Sequence, residues 1–187
     1  MRISHKYKFI FISIPKTGST SVRSILDPYS DIISVNDKNS PYKHHATSKN
    51  LHEHFKSQKW DWNDYFKFTI VRNPWAKRVS SWAYRLRNGQ HNYKEFKDFV
   101  RNYPASSMYS YISDSNGNLL INDFFKVEEP GNIITILKDI GIPEMNLPHK
   151  NQTKHQHYTE YYDSETRDIV AQQYSKDIEY FGYEFGD

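Results

Sequence analysis

Apolar residues in this chain come in short blocks between polar turns, and the spacing inside each block predicts its element. Phe9 to Ile14 is an unbroken run rich in β-branched and aromatic side chains, cut off at Pro15, which predicts a buried strand. Beyond a polar stretch, Val22, Ile25 and Leu26 recur at helical spacing. Residues 65–71, Tyr-Phe-Lys-Phe-Thr-Ile-Val, alternate and then become wholly apolar, predicting a strand that Arg72-Asn73-Pro74 ends. Pro74 suits the opening of a helix, and Val79, Trp82, Ala83 and Leu86 then fall at i, i+3, i+4 and i+7. Shorter signals predict a strand at Ile32–Val35 and a helix capped by Thr47 or Ser48 that runs through Leu51 and Phe55 towards Trp60. Later come a strand at Phe124–Glu129, a helix at Asn132–Ile140 stopped by Gly141 and Pro143, and a final helix capped by Asp163. Residues 85–123 are polar and tyrosine-bearing, with a short helix suggested by Phe96, Phe99 and Val100 and a turn at 114–118. Strands alternating with helices predict an α/β fold.

Composition narrows the classes. A chain of 187 residues is expected to form one domain that buries roughly 70% of its unfolded surface. Aromatic residues make up 16% of the sequence, so tyrosine and phenylalanine must build much of the core and any pocket wall. The formal net charge of +3 without a basic cluster suits a small anionic ligand and argues against a nucleic-acid partner. With no cysteine, disulfides and thiol catalysis are excluded. The first apolar run is too short for a signal peptide or anchor and no later stretch approaches a membrane span, so a soluble, cytoplasmic protein is expected.

The candidate chemistry begins where the first strand meets the first helix, at Pro15-Lys16-Thr17-Gly18-Ser19-Thr20-Ser21. Such a turn aims backbone N–H groups and the positive helix end at one point, which suits a phosphate. Gly18 permits close approach, Lys16 adds charge, and Ser19, Thr20 and Ser21 add hydroxyls. The order is not that of the nucleotide triphosphate loop, whose lysine directly follows its second glycine. Taken alone, the stretch is equally a strand-turn-helix with a Ser/Thr cap. Arg72 is expected at the carboxyl end of a strand, where open α/β sheets bind ligands. With Ser80 eight residues on, it forms a plausible clamp for a phosphate monoester, although a lone arginine also serves as a cap or ion-pair residue. His44 and His45 at a helix entrance offer a proton acceptor near neutrality. The pairs His52/His54 and His155/His157 lack the spacing and company of metal sites, so no metal is expected.

Read together, these segments resemble the PAPS-dependent sulfotransferases, of the carbohydrate type that includes the heparan 2-O and chondroitin enzymes; PAPS is 3′-phosphoadenosine 5′-phosphosulfate. Pro-Lys-Thr-Gly-Ser-Thr-Ser resembles the family's 5′-phosphosulfate loop. Phe-Lys-Phe-Thr-Ile-Val-Arg-Asn-Pro-Trp followed by Val-Ser-Ser-Trp resembles its 3′-phosphate segment, with Arg72 and Ser80 in register. Lys-His-His-Ala-Thr-Ser-Lys resembles its His-Ala-Thr segment and places His45 as the base, with His44 the neighbouring candidate. The stretch 147–155 resembles a polar loop that folds back near the cofactor, which brings in Asn151 and Thr153. The likeness covers nearly all of the chain except about residues 87–120, where, with residues 36–48, acceptor selection is expected. Ser13 and Ser19 stand where many relatives carry His and a second Gly, and Ala76-Lys77-Arg78 replaces a more usual Asp-Arg-Leu.

The resemblance implies a single P-loop-like domain over residues 1–187, with a central, mainly parallel sheet flanked by helices. It implies PAPS as donor, PAP (3′,5′-bisphosphoadenosine) as product, no metal, and a hydroxyl-bearing glycan or small natural product as acceptor. Catalysis then falls to His45 and Lys16, and cofactor binding to Pro15, Lys16, Thr17, Gly18, Ser19, Thr20, Ser21, Arg72, Ser80, Asn151 and Thr153. Two alternatives stand beside this reading: a variant nucleotide kinase or NTPase, and a non-catalytic phosphonucleotide-binding protein.

Overall fold

A computed structural model of the chain describes residues 1–143 and 156–187. Two compact units make up the chain: Met1–Val71 with Ser110–Asn151, and Arg72–Tyr109 with Gln152–Asp187.

The first unit is built on a five-stranded sheet. Its strands are β1 (Arg2–Ser4), β2 (Phe9–Ile12), β3 (Ile32–Ile33), β4 (Phe66–Val71) and β5 (Asp123–Lys126), in the order β3-β1-β2-β4-β5. The centre is parallel, with Phe9 opposite Phe66, Ile12 opposite Thr69, and Val71 opposite Lys126. Parallel pairing brings the carboxyl ends of β2, β4 and β5 to one edge, the edge at which such sheets present ligand loops. β1 pairs antiparallel with both β2 and β3, a flank that the sequence pattern did not predict. Only Ile3 in β1 carries a strand signal; the buried Arg2 is held there by Asp27 and by Ser34.

The connecting helices of this unit are α1 (Ser19–Leu26) and α2 (Ser48–Ser57). Phe9, Phe11, Phe68, Ile70 and Phe125 from the sheet pack with Val22, Ile25 and Leu26 of α1 in one core cluster. Ile10 and Ile12 point to the opposite face and are also fully buried, which explains the unbroken apolar run. Thr47 caps α2 as expected, its hydroxyl accepting from the Asn50 amide.

The second unit contains α3 (Pro74–Arg87) and α4 (Phe96–Asn102), and the four-residue α5 (Tyr109–Ile112) begins at its boundary. In the first unit α6 (Gly131–Asp139) follows β5, and Ile133 and Leu137 join the sheet core. The final helix is two helices, α7 (Ser164–Gln173) and α8 (Ser175–Phe181), parted at Tyr174 without a glycine or proline. Asp163 and Thr166 form a capping box at the start of α7. The core of the second unit is aromatic, with Trp75, Phe96, Phe99, Tyr158 and Tyr174 packed around Val79, Val100 and Val170. Among the described residues of this unit three charged groups are buried: Lys77, which donates to the Ser106 carbonyl, Arg78 and Asp177. Arg78 donates to the carbonyls of Phe99, Tyr103 and Pro104 at the end of α4, a cation on the negative helix end. Asp177 accepts from the Ser107 hydroxyl and from the amides of Met108 and Tyr109. Arg78 thus caps the end of α4 in place of making an ion pair.

Candidate functional site

The turn between β2 and α1 is braced from inside. Ser13 Oγ donates to Ser19 Oγ at 3.0 Å, Ser19 Oγ donates to the Ile14 carbonyl at 2.8 Å, and Thr17 Oγ1 donates to the same carbonyl at 3.0 Å. Ser13, Ile14, Thr17 and Ser19 are buried in consequence. The hydroxyl of Ser19, expected to face an anion, is turned inward, because the loop needs it to close on itself. The Ser21 amide is likewise engaged, donating to the Gly18 carbonyl at 3.0 Å, which narrows the set of backbone donors the turn can offer an anion. Pro15, Lys16 and Ser21 are half-buried, and Gly18 and Thr20 are exposed.

Two residues of this turn are left-handed, Lys16 at φ 66° and Gly18 at φ 79°. For lysine that conformation costs roughly 1–2 kcal/mol, a strain retained where the surrounding structure overdetermines it. Gly18 is the N-cap of α1, with no side chain to cap it. A Cβ there would lie 2.9 Å from Cγ2 of Val127, the residue after β5. The loop therefore needs glycine twice over, for its φ and for the close approach of Val127.

His45 adjoins this turn. Its Nδ1 lies 2.7 Å from the Ser13 carbonyl. A carbonyl only accepts, so Nδ1 carries the proton and Nε2 the lone pair. Burial first of all, with the charge of Arg23 and others, lowers its pKa to about 4, so the ring is neutral at physiological pH. His44 is locked in the opposite tautomer. Arg23 Nη1 donates to its Nδ1 at 2.8 Å, and Ser34 Oγ lies 2.7 Å from the same nitrogen. Burial and Arg23 lower its pKa as well. Of the two histidines, His45 is the one whose lone pair is not taken up by its recorded partners.

In the second unit, Arg72 comes directly after β4 and one residue before the cap of α3. Asn73 is fully buried; its Oδ1 accepts from the amides of Trp75 and Ala76 and its Nδ2 donates to the Glu184 carbonyl. That cap, with Pro74 in the first turn, sets the point at which the chain turns into the helix. Ser80 is the seventh residue of α3 and only 4% exposed, because α3 is buried on every side from Pro74 to Ser80. Asn151 and Thr153 lie outside the described residues. His52 packs on Trp62, and His54 Nε2 is 2.6 Å from the Tyr42 hydroxyl, which accounts for both histidines. Among the described residues no cluster of three or more His, Cys, Asp or Glu could hold a metal ion, and no described helix is long and apolar enough to cross a membrane.

A family model described as "Sulfotransferase family" matches residues 1–120, which takes in the whole β2–α1 turn, both histidines, Arg72 and Ser80. The chain belongs to the sulfotransferase family. A protein of the archaeon Archaeoglobus fulgidus, described only as uncharacterised, is 33% identical to this sulfotransferase over 85 residues, 43% of this chain and 71% of that one. The crystal structure of mouse sulfotransferase SULT7A1 complexed with PAP is similar with a TM-score of 0.59 at 14% identity, covering 94% of this chain and 85% of that one. At that identity the likeness establishes the fold, an α/β fold with the sheet and flanking helices described above.

The structure adds three participants that the sequence pattern did not single out. Arg23 donates through Nη2 to Thr20 Oγ1 at 3.1 Å, a contact that their i, i+3 spacing on α1 could have signalled. Ser13, noted only as a departure from relatives, braces the loop through its hydroxyl and orients His45 through its carbonyl. Val127 meets Gly18 across the sheet edge, and no local pattern announces it.

Proposed function

We propose that this sulfotransferase uses PAPS as donor and moves its sulfuryl group to a hydroxyl of an acceptor, a carbohydrate or a small natural product. The observation that carries the reading is the tie between His45 and the β2–α1 turn: one loop holds the base in a fixed tautomer and presents Lys16, Thr20 and the amino end of α1. The residues fit a phosphate-bearing group, because Gly18 keeps a methyl out of the turn and a strained lysine adjoins it.

PAPS supplies an activated sulfuryl group with a bisphosphorylated nucleotide as leaving group. His45 Nε2 takes the acceptor's hydroxyl proton as the new O–S bond forms. Lys16 offsets the negative charge that grows on the bridging oxygen and the 5′-phosphate as the old S–O bond breaks. Backbone N–H groups at the start of α1, with the Thr20 and Ser21 hydroxyls, hold the 5′-phosphate and sulfuryl oxygens. Arg72 and Ser80 hold the 3′-phosphate, and Asn151 and Thr153 belong to the same cofactor set. Fixed donors of this kind need no reorganisation as charge moves, and alignment of acceptor, sulfur and leaving oxygen supplies much of the remaining acceleration. Support for a sugar acceptor comes from the likeness of the Arg72 segment to carbohydrate-type enzymes.

The test is transfer of labelled sulfuryl from PAPS across a panel of glycans, lipids, phenols and natural-product alcohols, with His45→Ala alongside. Transfer to at least one class by the wild type, reduced at least 100-fold in His45→Ala while PAP still binds, is expected. PAP binding without transfer to any acceptor would overturn the enzymatic reading, and undiminished turnover in His45→Ala would remove that residue from the chemistry.

A further inference from the structure

Arg23 carries a half-buried charge that Asp27 offsets only from beyond ion-pair distance. Burial lowers its pKa. Among the described residues it forms no ion pair, whereas neighbouring Arg2 is paired with Asp27. Its Nε is buried and has no hydrogen-bond partner among the described residues. A buried guanidinium held only for stability ordinarily meets a carboxylate or several carbonyls; Arg78, whose Nε likewise has no partner among the described residues, meets the end of α4 with both terminal nitrogens. Arg23 instead spends its two terminal nitrogens on Thr20 Oγ1 and His44 Nδ1.

Both bonds have a fixed direction, because a guanidinium only donates. A hydroxyl that accepts from Arg23 keeps its own proton to give, so Thr20, exposed in the first turn of α1, is set as a donor. The second bond ties α1 to the residue before His45. From there the contacts return to the loop: His45 Nδ1 to the Ser13 carbonyl, and Ser13 Oγ to Ser19, next to Thr20. Thr20, Arg23, His44, His45, Ser13 and Ser19 form a closed ring of contacts around the turn.

We propose that Arg23 is a positioning residue of the 5′ grip, holding the Thr20 hydroxyl as a donor to the anion and fixing the spacing between the anion-binding turn and His45. The proposal rests on the reading of the turn given under Proposed function. Its function is geometric as well as electrostatic, since lysine would keep the charge but lose the two-pronged reach. The charged and titratable groups acting on His45 are Arg23, His44 and the amino group of Met1, all of which disfavour its protonation. Removing Arg23 therefore raises the pKa of His45.

The experiment compares wild type, Arg23→Ala, Arg23→Lys, Thr20→Val and the double variant Arg23→Ala/Thr20→Val. Turnover with PAPS is measured over pH, and His45 is titrated by NMR in the ligand-free protein after thermal unfolding has confirmed that each variant is folded. Arg23→Ala and Thr20→Val should each lower kcat/KM by about tenfold or more, and the double variant should lose little beyond the worse single one. Arg23→Ala should also move the His45 titration to higher pH. Arg23→Lys should leave that titration near the wild-type position without restoring kcat/KM, a split that simple loss of stability does not produce. Turnover of Arg23→Ala within twofold of wild type, or multiplicative losses in the double variant, would overturn the proposal. Absence of transfer by the wild type would count against the function reading instead. The ligand-free titration then still decides the tie: an unmoved His45 in Arg23→Ala overturns it.

Discussion

Gly18→Ala is the substitution whose cost can be divided into parts from the structure. Alanine at φ 79° is left-handed, at roughly 1–2 kcal/mol. Its Cβ would sit 2.9 Å from Val127 Cγ2, on a short stiff side chain that cannot swing away, and overpacking of this kind costs about 1–3 kcal/mol. Loss of glycine's freedom in the unfolded chain returns roughly 0.4–1 kcal/mol. The net destabilisation is then about 1–5 kcal/mol. Val127→Ala alone, at a half-buried position, should cost about 1 kcal/mol. Because it also removes the obstructing methyl, Gly18→Ala/Val127→Ala should be no less stable than Gly18→Ala, a coupling of about 1 kcal/mol or more. Urea denaturation of the four proteins, read by linear extrapolation, measures this directly. Additivity within about 0.5 kcal/mol would show that Val127 does not press on Gly18 and that the shape assigned to the turn is wrong.

Other expectations follow from the same geometry. Lys16→Gly should be about 1 kcal/mol more stable than Lys16→Ala, since only glycine relieves the φ of 66°, while both lose at least 100-fold in PAPS turnover; equal stability or retained turnover would refute the assignment. His45 has its pKa lowered from 6.5 to about 4 in the fold, so the unfolded chain binds the extra proton first as pH falls. Its contribution is thus fully present above about pH 6.5 and lost on acidification towards pH 4, up to roughly 3 kcal/mol. His45→Gln should flatten stability over that window, and an unchanged pH profile would argue against a buried neutral ring. Asp177→Ala strips the acceptor from one hydroxyl and two amides and should cost about 2–4 kcal/mol in denaturant unfolding; a loss below about 0.5 kcal/mol would contradict the role given to that carboxylate.

What could be read from the sequence was what local chemistry determines. The β2–α1 and β4–α3 units were legible because a buried parallel strand is apolar throughout and because Asn73-Pro74 and Gly18 mark helix starts. β1 was not, since Arg2 is buried by partners distant in sequence. The break at Tyr174 was not, since no glycine or proline marks it. At the candidate site, the sequence offers candidate residues but not their orientations. Whether Ser19 faces a ligand or the Ile14 carbonyl depends on how the loop closes, and which histidine keeps its lone pair depends on Arg23 and Ser13.

The most direct measurement is a calorimetric titration of wild type and Arg72→Ala with 3′,5′-bisphosphoadenosine and with adenosine 5′-phosphate. Wild type should prefer the bisphosphate by at least 100-fold, the two-charge difference being read by Arg72 and Ser80, and Arg72→Ala should bind the two nucleotides within a few-fold of each other. A wild type indifferent to the 3′-phosphate, or a variant that discriminates as well as wild type, would contradict the claim that this chain recognises its donor by both phosphates.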